Sequence, residues 1–193
     1  MPRVSGRESI AVNAAIVGER PTGLGIYALS LIRALDDLGE RLTVFTSRPD
    51  LVALARGAVR PAPASVRPER GALGHLRRLV WIQTGFRLRL RALDPAIVLN
   101  LMPEGLLAPS MPQVTVVHDL LPLLYPEEYP RQQYYFRHYV PAVLRFSRAV
   151  LVISESTRRD LLRFYRLPPE RVHVVLSGYD AARFSAEGPA AAS

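Results

Sequence analysis

Ser9 to Val17 reads SIAVNAAIV, and Gly18 to Leu38 continues GERPTGLGIYALSLIRALDDL. The first stretch is short, uncharged and apolar at most positions, the pattern of a strand buried on both faces. A glycine- and proline-bearing loop follows. Ile26, Leu29, Leu31, Ile32 and Leu35 then recur at helical spacing, and Gly39 stands where a helix is closed by a residue in the left-handed region. Strand, tight loop, helix is the unit from which a parallel sheet is built, and it decides the fold class.

The same alternation runs along the rest of the chain. Strands are predicted at Leu42 to Phe45, Ile97 to Leu101, Val114 to Val117, Ala149 to Ile153 and Val172 to Leu176. Between them come a short helix over Leu51 to Arg56, and a loop with one poor strand over Gly57 to Pro68. A long helix runs from Leu73 to Leu93, with Leu76, Leu79, Phe86, Leu90 and Leu93 on its inner face. The chain turns between Pro122 and Pro130. Gln132 to Phe146 is helical with a kink at Pro141, whose ring displaces one backbone hydrogen bond. Ser154 is an N-cap for a helix over Glu155 to Tyr165. The fold class is therefore α/β: a Rossmann-like parallel sheet with helices on both faces, and ligands expected at the carboxyl edge of its strands. The tail from Ala186 to Ser193 has small residues and no core pattern, and is expected to be disordered.

Composition narrows the chemistry. The chain has 193 residues, enough for one domain with a real core. It contains no cysteine, which excludes disulfides, thiolate metal sites and cysteine nucleophiles. All 25 basic residues are arginine, so a Walker-type phosphate loop and Schiff-base catalysis, which need lysine, are excluded as well. The net charge of +8 permits a polyanionic partner. Nucleic-acid binding would rest on charge alone, since no recognised motif accompanies it, and none is expected. No apolar run reaches the roughly 20 residues of a membrane-spanning helix, and the polar start Met1 to Glu8 has no signal-peptide pattern. The expected location is cytoplasmic, with at most a peripheral membrane attachment.

Three loops at the carboxyl edge carry polar or glycine-rich character. In the first, Gly23 and Gly25 bracket Leu24 at a helix start, where backbone can approach an anion. It lacks the three tightly spaced glycines of the dinucleotide fingerprint. The second places His118 and Asp119 after a buried strand, where a histidine can orient a ligand or transfer a proton. Adjacent residues on extended backbone point to opposite sides, so the two are not expected to form a bonded dyad. The third, Ile153 to Thr157, is explained by the Ser154 cap, with a ligand contact by Ser154 as the alternative. His75, His138 and His173 lack metal-ligand spacing and are assigned no role; no metal site is expected.

Four pieces taken together, PTGLGIYALSLIRAL (Pro21 to Leu35), VTVVHDLLPLLYPEEYP (Val114 to Pro130), AVLVISESTRRDLLRFY (Ala149 to Tyr165) and RVHVVLSGYDAARF (Arg171 to Phe184), resemble the retaining glycosyltransferases of family 4, which have two Rossmann-like halves in a GT-B fold. Their style is similar to bacterial mannosyl- or rhamnosyltransferases of surface polysaccharide assembly. The resemblance implies that residues 1–180 are the N-terminal, acceptor-side domain and that residues 181–193 begin an interdomain linker. It implies that Gly23, Leu24 and Gly25 approach the donor diphosphate and that His118 lies near the donor sugar. It implies that Asp119 positions the acceptor or the loop. The donor would be a nucleotide sugar such as GDP-mannose or a UDP- or dTDP-sugar, used without metal or cofactor, and the acceptor a glycan or lipid-linked saccharide.

The C-terminal donor-binding domain of that family finds no counterpart in these residues. The resemblance therefore implies a half-enzyme that does not turn over alone and needs a C-terminal half. The reading from another class is a non-catalytic binding or scaffold module of the same fold. Arg70 to Leu93 holds six arginines and no acid, and Pro130 to Ser154 holds four and no acid, so these helices are candidate contacts for an anionic membrane surface.

Overall fold

The computed structural model describes residues 9–178. Seven strands form one parallel sheet: β1 (Ile10–Asn13), β2 (Leu42–Thr46), β3 (Gly57–Pro61), β4 (Ile97–Asn100), β5 (Gln113–Val117), β6 (Ala149–Val152) and β7 (Val172–Val174), in the spatial order β3-β2-β1-β4-β5-β6-β7. The chain winds outward from β1 to β3, returns to lay β4 against β1, then winds outward on the other side. Val12 accordingly stands opposite Val44 on one flank and Leu99 on the other. The winding direction reverses between β1 and β4, where an open α/β sheet leaves a crevice at the carboxyl ends of its strands.

Helices cover both faces: α1 (Gly23–Asp37), α2 (Gly71–Trp81), α3 (Arg87–Leu93), α4 (Leu121–Leu124), α5 (Gln132–Tyr134), α6 (Val140–Arg145) and α7 (Glu155–Tyr165). Strand side chains alternate between faces. Ala11, Phe45 and Val98 pack with Trp81, Ile82, Phe86 and Leu90 of the α2–α3 arm. Val12, Val44, Leu99 and Val116 pack with Ala28 and Ile32 of α1. A third cluster joins Val117, Val150 and Val152 to Leu144 of α6 and Leu161 of α7. Phe86 and Leu90 are fully buried, and each such side chain contributes about 1.5–3 kcal/mol through lost water contact.

Several local expectations change. Helix α1 begins at Gly23, three residues before Ile26, because extended Thr22 serves as N-cap and its carbonyl accepts from Ile26 N at 2.8 Å. No helix spans 51–56; one tight turn at Pro49–Leu51 takes its place. The Asp36 carboxylate claims the next amides, accepting from Ala55 N at 2.7 Å and Arg56 N at 3.3 Å. Between Pro122 and Pro130 the chain contains the short α4 rather than turn alone.

The long arm is continuous from Gly71 to Leu93 but passes through a π turn at Ile82–Phe86. A second π turn, Tyr135–Tyr139, stands directly before Pro141, the residue expected to interrupt that helix. The largest change concerns the inner face of α2. Leu76 is 57% exposed, whereas Arg78 is only 4% exposed. Leucine spacing predicted the reverse; a buried carboxylate opposite Arg78 sets the rotation instead. β1, β4, β6 and β7 end one to four residues inside their predicted limits, while β2 runs one residue further and β5 starts one residue earlier; the predicted tail and linker lie outside the described residues.

Candidate functional site at the carboxyl edge

The loop after β1 and the segment before α2 enclose an open cavity of about 510 Å³ lined by Ile16, Gly18, Glu19, Arg20, Thr22, Pro68 and Glu69. Its two walls are stapled together. Glu69 Oε1 accepts from Glu19 N at 2.6 Å, and Arg67 Nη1 pairs with Glu19 Oε1 at 2.6 Å while its Nη2 donates to Ser47 O at 3.2 Å. Burial opposes the Glu69 charge, but the amide groups it accepts from and the nearby Arg67 outweigh that and hold its carboxyl below the ordinary value. A Cβ on Gly18 would stand 2.1 Å from Glu69 Oε1, so any larger residue there would push the carboxylate off the loop.

Gly23, Leu24 and Gly25 form the first turn of α1, where backbone N–H groups have no helical partner. A Cβ on Gly23 would meet nothing within 4 Å, so its backbone is open to approach; on Gly25 it would stand 3.0 Å from Pro21 Cβ. One turn further on, Tyr27 packs edge-on against His118, with ring centroids 4.6 Å apart. The structure therefore brings the first turn of α1 and the end of β5 to one neighbourhood.

His118 is buried, with Nε2 3.1 Å from the Leu101 carbonyl. A carbonyl only accepts, so Nε2 carries the proton and Nδ1 of the neutral ring keeps its lone pair. Desolvation lowers the His118 pKa, opposed by that hydrogen bond and by the Asp119 charge. The His118 carbonyl accepts from Thr157 Oγ1 at 3.1 Å, which ties β5 to the start of α7. Asp119 bonds forward along the chain rather than to the His118 ring. It is exposed, and its Oδ1 accepts from Leu121 N at 3.2 Å at the start of α4. Ser154 is the expected cap: Oγ accepts from Thr157 N at 3.1 Å and lies 3.0 Å from Thr157 Oγ1.

Sequence reasoning missed a second polar group at the same edge. Glu104, in the loop leaving β4, is only 4% exposed. Its Oε1 accepts from Arg78 Nη2 at 2.7 Å and its Oε2 pairs with Arg78 Nε. Arg78 Nη1 donates to Val66 O at 2.9 Å, and His75 Nδ1 lies 3.0 Å from Glu104 Oε1. Burial would raise the Glu104 pKa, but the charged partner and these hydrogen bonds prevail and lower it. The Glu104 main-chain oxygen accepts from Asn13 Nδ2 at 3.0 Å, which fastens the loop to the end of β1. Below it, Asn100 Nδ2 reaches Gln113 Oε1 at 3.1 Å and Thr115 Oγ1 at 3.3 Å. The available signal was a lone acid in the otherwise acid-free run from Pro95 to His118, placed just past a strand.

Among the described residues no group of three or more His, Asp or Glu is arranged to hold a metal ion, and no helix is long and apolar enough to cross a membrane.

Residues 21–183 match the model of Glycosyltransferase Family 4. The O-antigen chain mannosyltransferase RfbU of Salmonella typhimurium is 24% identical over 179 residues, covering 90% of this chain and 50% of that protein. Among solved structures, Anabaena HepE in complex with UDP superposes with a TM-score of 0.54 at 14% identity, over 91% of this chain and 45% of that one. The apo form of the lipopolysaccharide outer core galactosyltransferase WaaB gives 0.51 at 14% identity, over 87% and 45%. These likenesses show the fold, and the chain spans about half the length of the relatives it matches.

Proposed function

This chain belongs to glycosyltransferase family 4, and we propose that it forms the acceptor-side half of a transferase that moves a hexose from a nucleotide sugar to a surface-polysaccharide or lipid-linked acceptor. The observation that carries the reading is the family match over residues 21–183 joined to an open carboxyl edge, where Tyr27 of α1 packs against His118. In this reading the amides of Gly23, Leu24 and Gly25 face the donor diphosphate, and His118, held neutral and oriented by Leu101 O, lines the reaction centre. Asp119 holds the loop entering α4 next to the acceptor. Ser154 acts through its cap, keeping the start of α7 against the His118 carbonyl.

The leaving nucleoside diphosphate needs fixed cations in a closed, water-poor cleft, because water screens charges in an open one. Arg67 is already committed to Glu19 and the Ser47 carbonyl. Arg20 lines the cavity, and in this reading a donor-binding half supplies the closed wall and the further cations. The experiment is transfer of labelled mannose from GDP-mannose to membrane saccharide acceptors, by the chain alone and with a family 4 donor-binding half. Transfer only with both halves supports the reading. Transfer by the chain alone removes the dependence on a donor half, and no transfer with both halves favours the non-catalytic scaffold.

Leu73, Leu76, Val80 and Leu88 are each more than half exposed along the α2–α3 arm, interleaved with exposed Arg77, Arg89 and Arg91. Such a face suits an anionic lipid surface, with leucines entering the headgroup boundary and arginines pairing with phosphates. Vesicle co-sedimentation tests it: binding to anionic vesicles that falls with salt supports the contact, and equal binding to neutral vesicles contradicts it.

A further inference from the structure

The arrangement of His75, Glu104 and Arg78 has no part in that reading, yet it lies at the reversal point of the sheet. Glu104 leaves β4, its main-chain oxygen is held by Asn13 at the end of β1, and those two strands flank the crevice. A carboxylate buried this deeply is costly unless paired, and Arg78 pairs it through two nitrogens. The pair is thus complete without His75. His75 is nevertheless added to it, with Nδ1 3.0 Å from Glu104 Oε1, and its ring is held edge-on at 4.8 Å from Tyr135. Tyr135 is fixed in turn, its hydroxyl donating to Pro103 O at 2.9 Å in the same loop.

Two groups approach His75 Nδ1: the Glu104 carboxylate at 3.0 Å and Arg78 Nη2 at 3.3 Å. The carboxylate is nearer and accepts only, while Arg78 Nη2 already donates to that same oxygen at 2.7 Å. Nδ1 therefore carries a proton, and in the uncharged form of the ring Nε2 keeps a lone pair. Nε2 hydrogen-bonds to no described residue, yet it is not among the buried unpartnered atoms, which are Arg67 Nε and Trp81 Nε1. It opens to solvent on a side chain that is 34% exposed. The result is an imidazole whose tautomer is fixed from behind by a buried anion, whose plane is fixed by an aromatic edge, and whose free acceptor faces outward.

The geometry points to His75 as a ligand-binding residue that accepts a hydrogen bond from a saccharide hydroxyl at the carboxyl edge, beside the loop leaving β4, with Glu104 and Arg78 as its positioning residues. This rests on the acceptor-side reading and deepens it. A hydroxyl donor is the ligand chemistry that matches an oriented acceptor atom. An anionic ligand would instead meet a lone pair backed by a carboxylate.

The test is long-range proton–nitrogen NMR of the histidine rings in the full chain, titrated with methyl α-glycosides of mannose, rhamnose, galactose and glucose. Expected are the Nδ1–H tautomer of His75 in the free chain and a saturable shift of its Nε2 with at least one glycoside. His75→Ala should weaken that glycoside roughly five- to tenfold, the equivalent of one ordinary hydrogen bond. His75→Gln, which keeps an acceptor, should recover part of the loss. The Nε2–H tautomer in the free chain overturns the assignment. So does glycoside binding that shifts the His118 ring and the Gly23 amide but leaves His75 unmoved; that outcome leaves the acceptor-side reading standing. Absence of any saturable shift along the carboxyl edge overturns both. The tautomer and titration are read on the unmutated chain, so the test stands even where a variant fails to fold.

Discussion

Replacing Arg78 with alanine should destabilise the domain by about 3–4 kcal/mol near neutral pH, and the penalty should shrink as the solution is acidified. Arg78 is 4% exposed and Glu104 likewise, so solvent does not screen the pair. Removing one partner of such a pair leaves an uncompensated buried charge worth about 3–5 kcal/mol. Protonation limits the cost. For a carboxyl with an ordinary value of 4.5, taking up a proton at neutral pH costs about 3.4 kcal/mol, which caps the carboxylate's share. In the parent chain the Glu104 pKa is depressed, so its contribution is complete above the ordinary carboxylate value and is lost as pH falls through the lower folded value. In Arg78→Ala the folded chain holds Glu104 protonated, and acidification toward the ordinary value stabilises the variant by about 1.4 kcal/mol per pH unit. The gap between parent and variant should therefore narrow by about 2 kcal/mol between pH 7 and 5.5. Urea unfolding followed by the single tryptophan, Trp81, reports the core beside this pair. At neutral pH the melting point should drop by on the order of ten degrees. A penalty below about 1 kcal/mol, or one independent of pH over that interval, would refute the argument, since the carboxylate would then be finding water or another partner.

Three further outcomes are expected. His118→Gln should flatten the pH dependence of stability on the acid side of neutrality: the His118 pKa is lowered by burial, so its contribution is present above the ordinary histidine value and lost as pH falls through the folded value. Melting temperatures across that range check it, and parallel curves would count against a buried neutral ring. Gly23→Ala should leave stability within about 0.5 kcal/mol, because nothing lies within 4 Å of the added methyl. It should raise KM for the nucleotide sugar in the two-half transfer assay, and unchanged kinetics would remove Gly23 from the donor path. Ser154→Ala should cost about 1 kcal/mol by freeing the Thr157 amide, measured by urea unfolding, and a neutral result would show that the cap adds nothing.

How far the sequence carries depends on which interactions are local. Strand and helix order was legible from Ser9 to Val174 because burial on both faces leaves apolar runs, as in SIAVNAAIV, and because caps such as Ser154 and stops such as Gly39 act over a few residues. The loops at the carboxyl edge were legible for the same reason: each follows a strand that could be seen. The rotation of α2 was not. Leu76 and Leu79 imitate an inner face, while Arg78 is drawn inward by Glu104, 26 residues away in sequence. No window of periodicity contains that partner. The missing helix over 51–56 has a similar cause, since Asp36, on another element, takes the amides of Ala55 and Arg56. His75, on an amphipathic helix, looks like a surface residue until the buried carboxylate behind it is known.

The central claim is that the carboxyl edge of this domain is one wall of a cleft completed by a donor-binding half. The most direct measurement is the backbone amide NMR spectrum of the labelled chain during addition of GDP, alone and with a family 4 donor-binding half. Saturable shifts are expected at Gly23, Leu24 and Gly25, and at the His118 ring that packs on Tyr27, when the donor half is present, and weak or no shifts without it. Equal shifts without the donor half, or shifts confined to residues away from this edge, would contradict it.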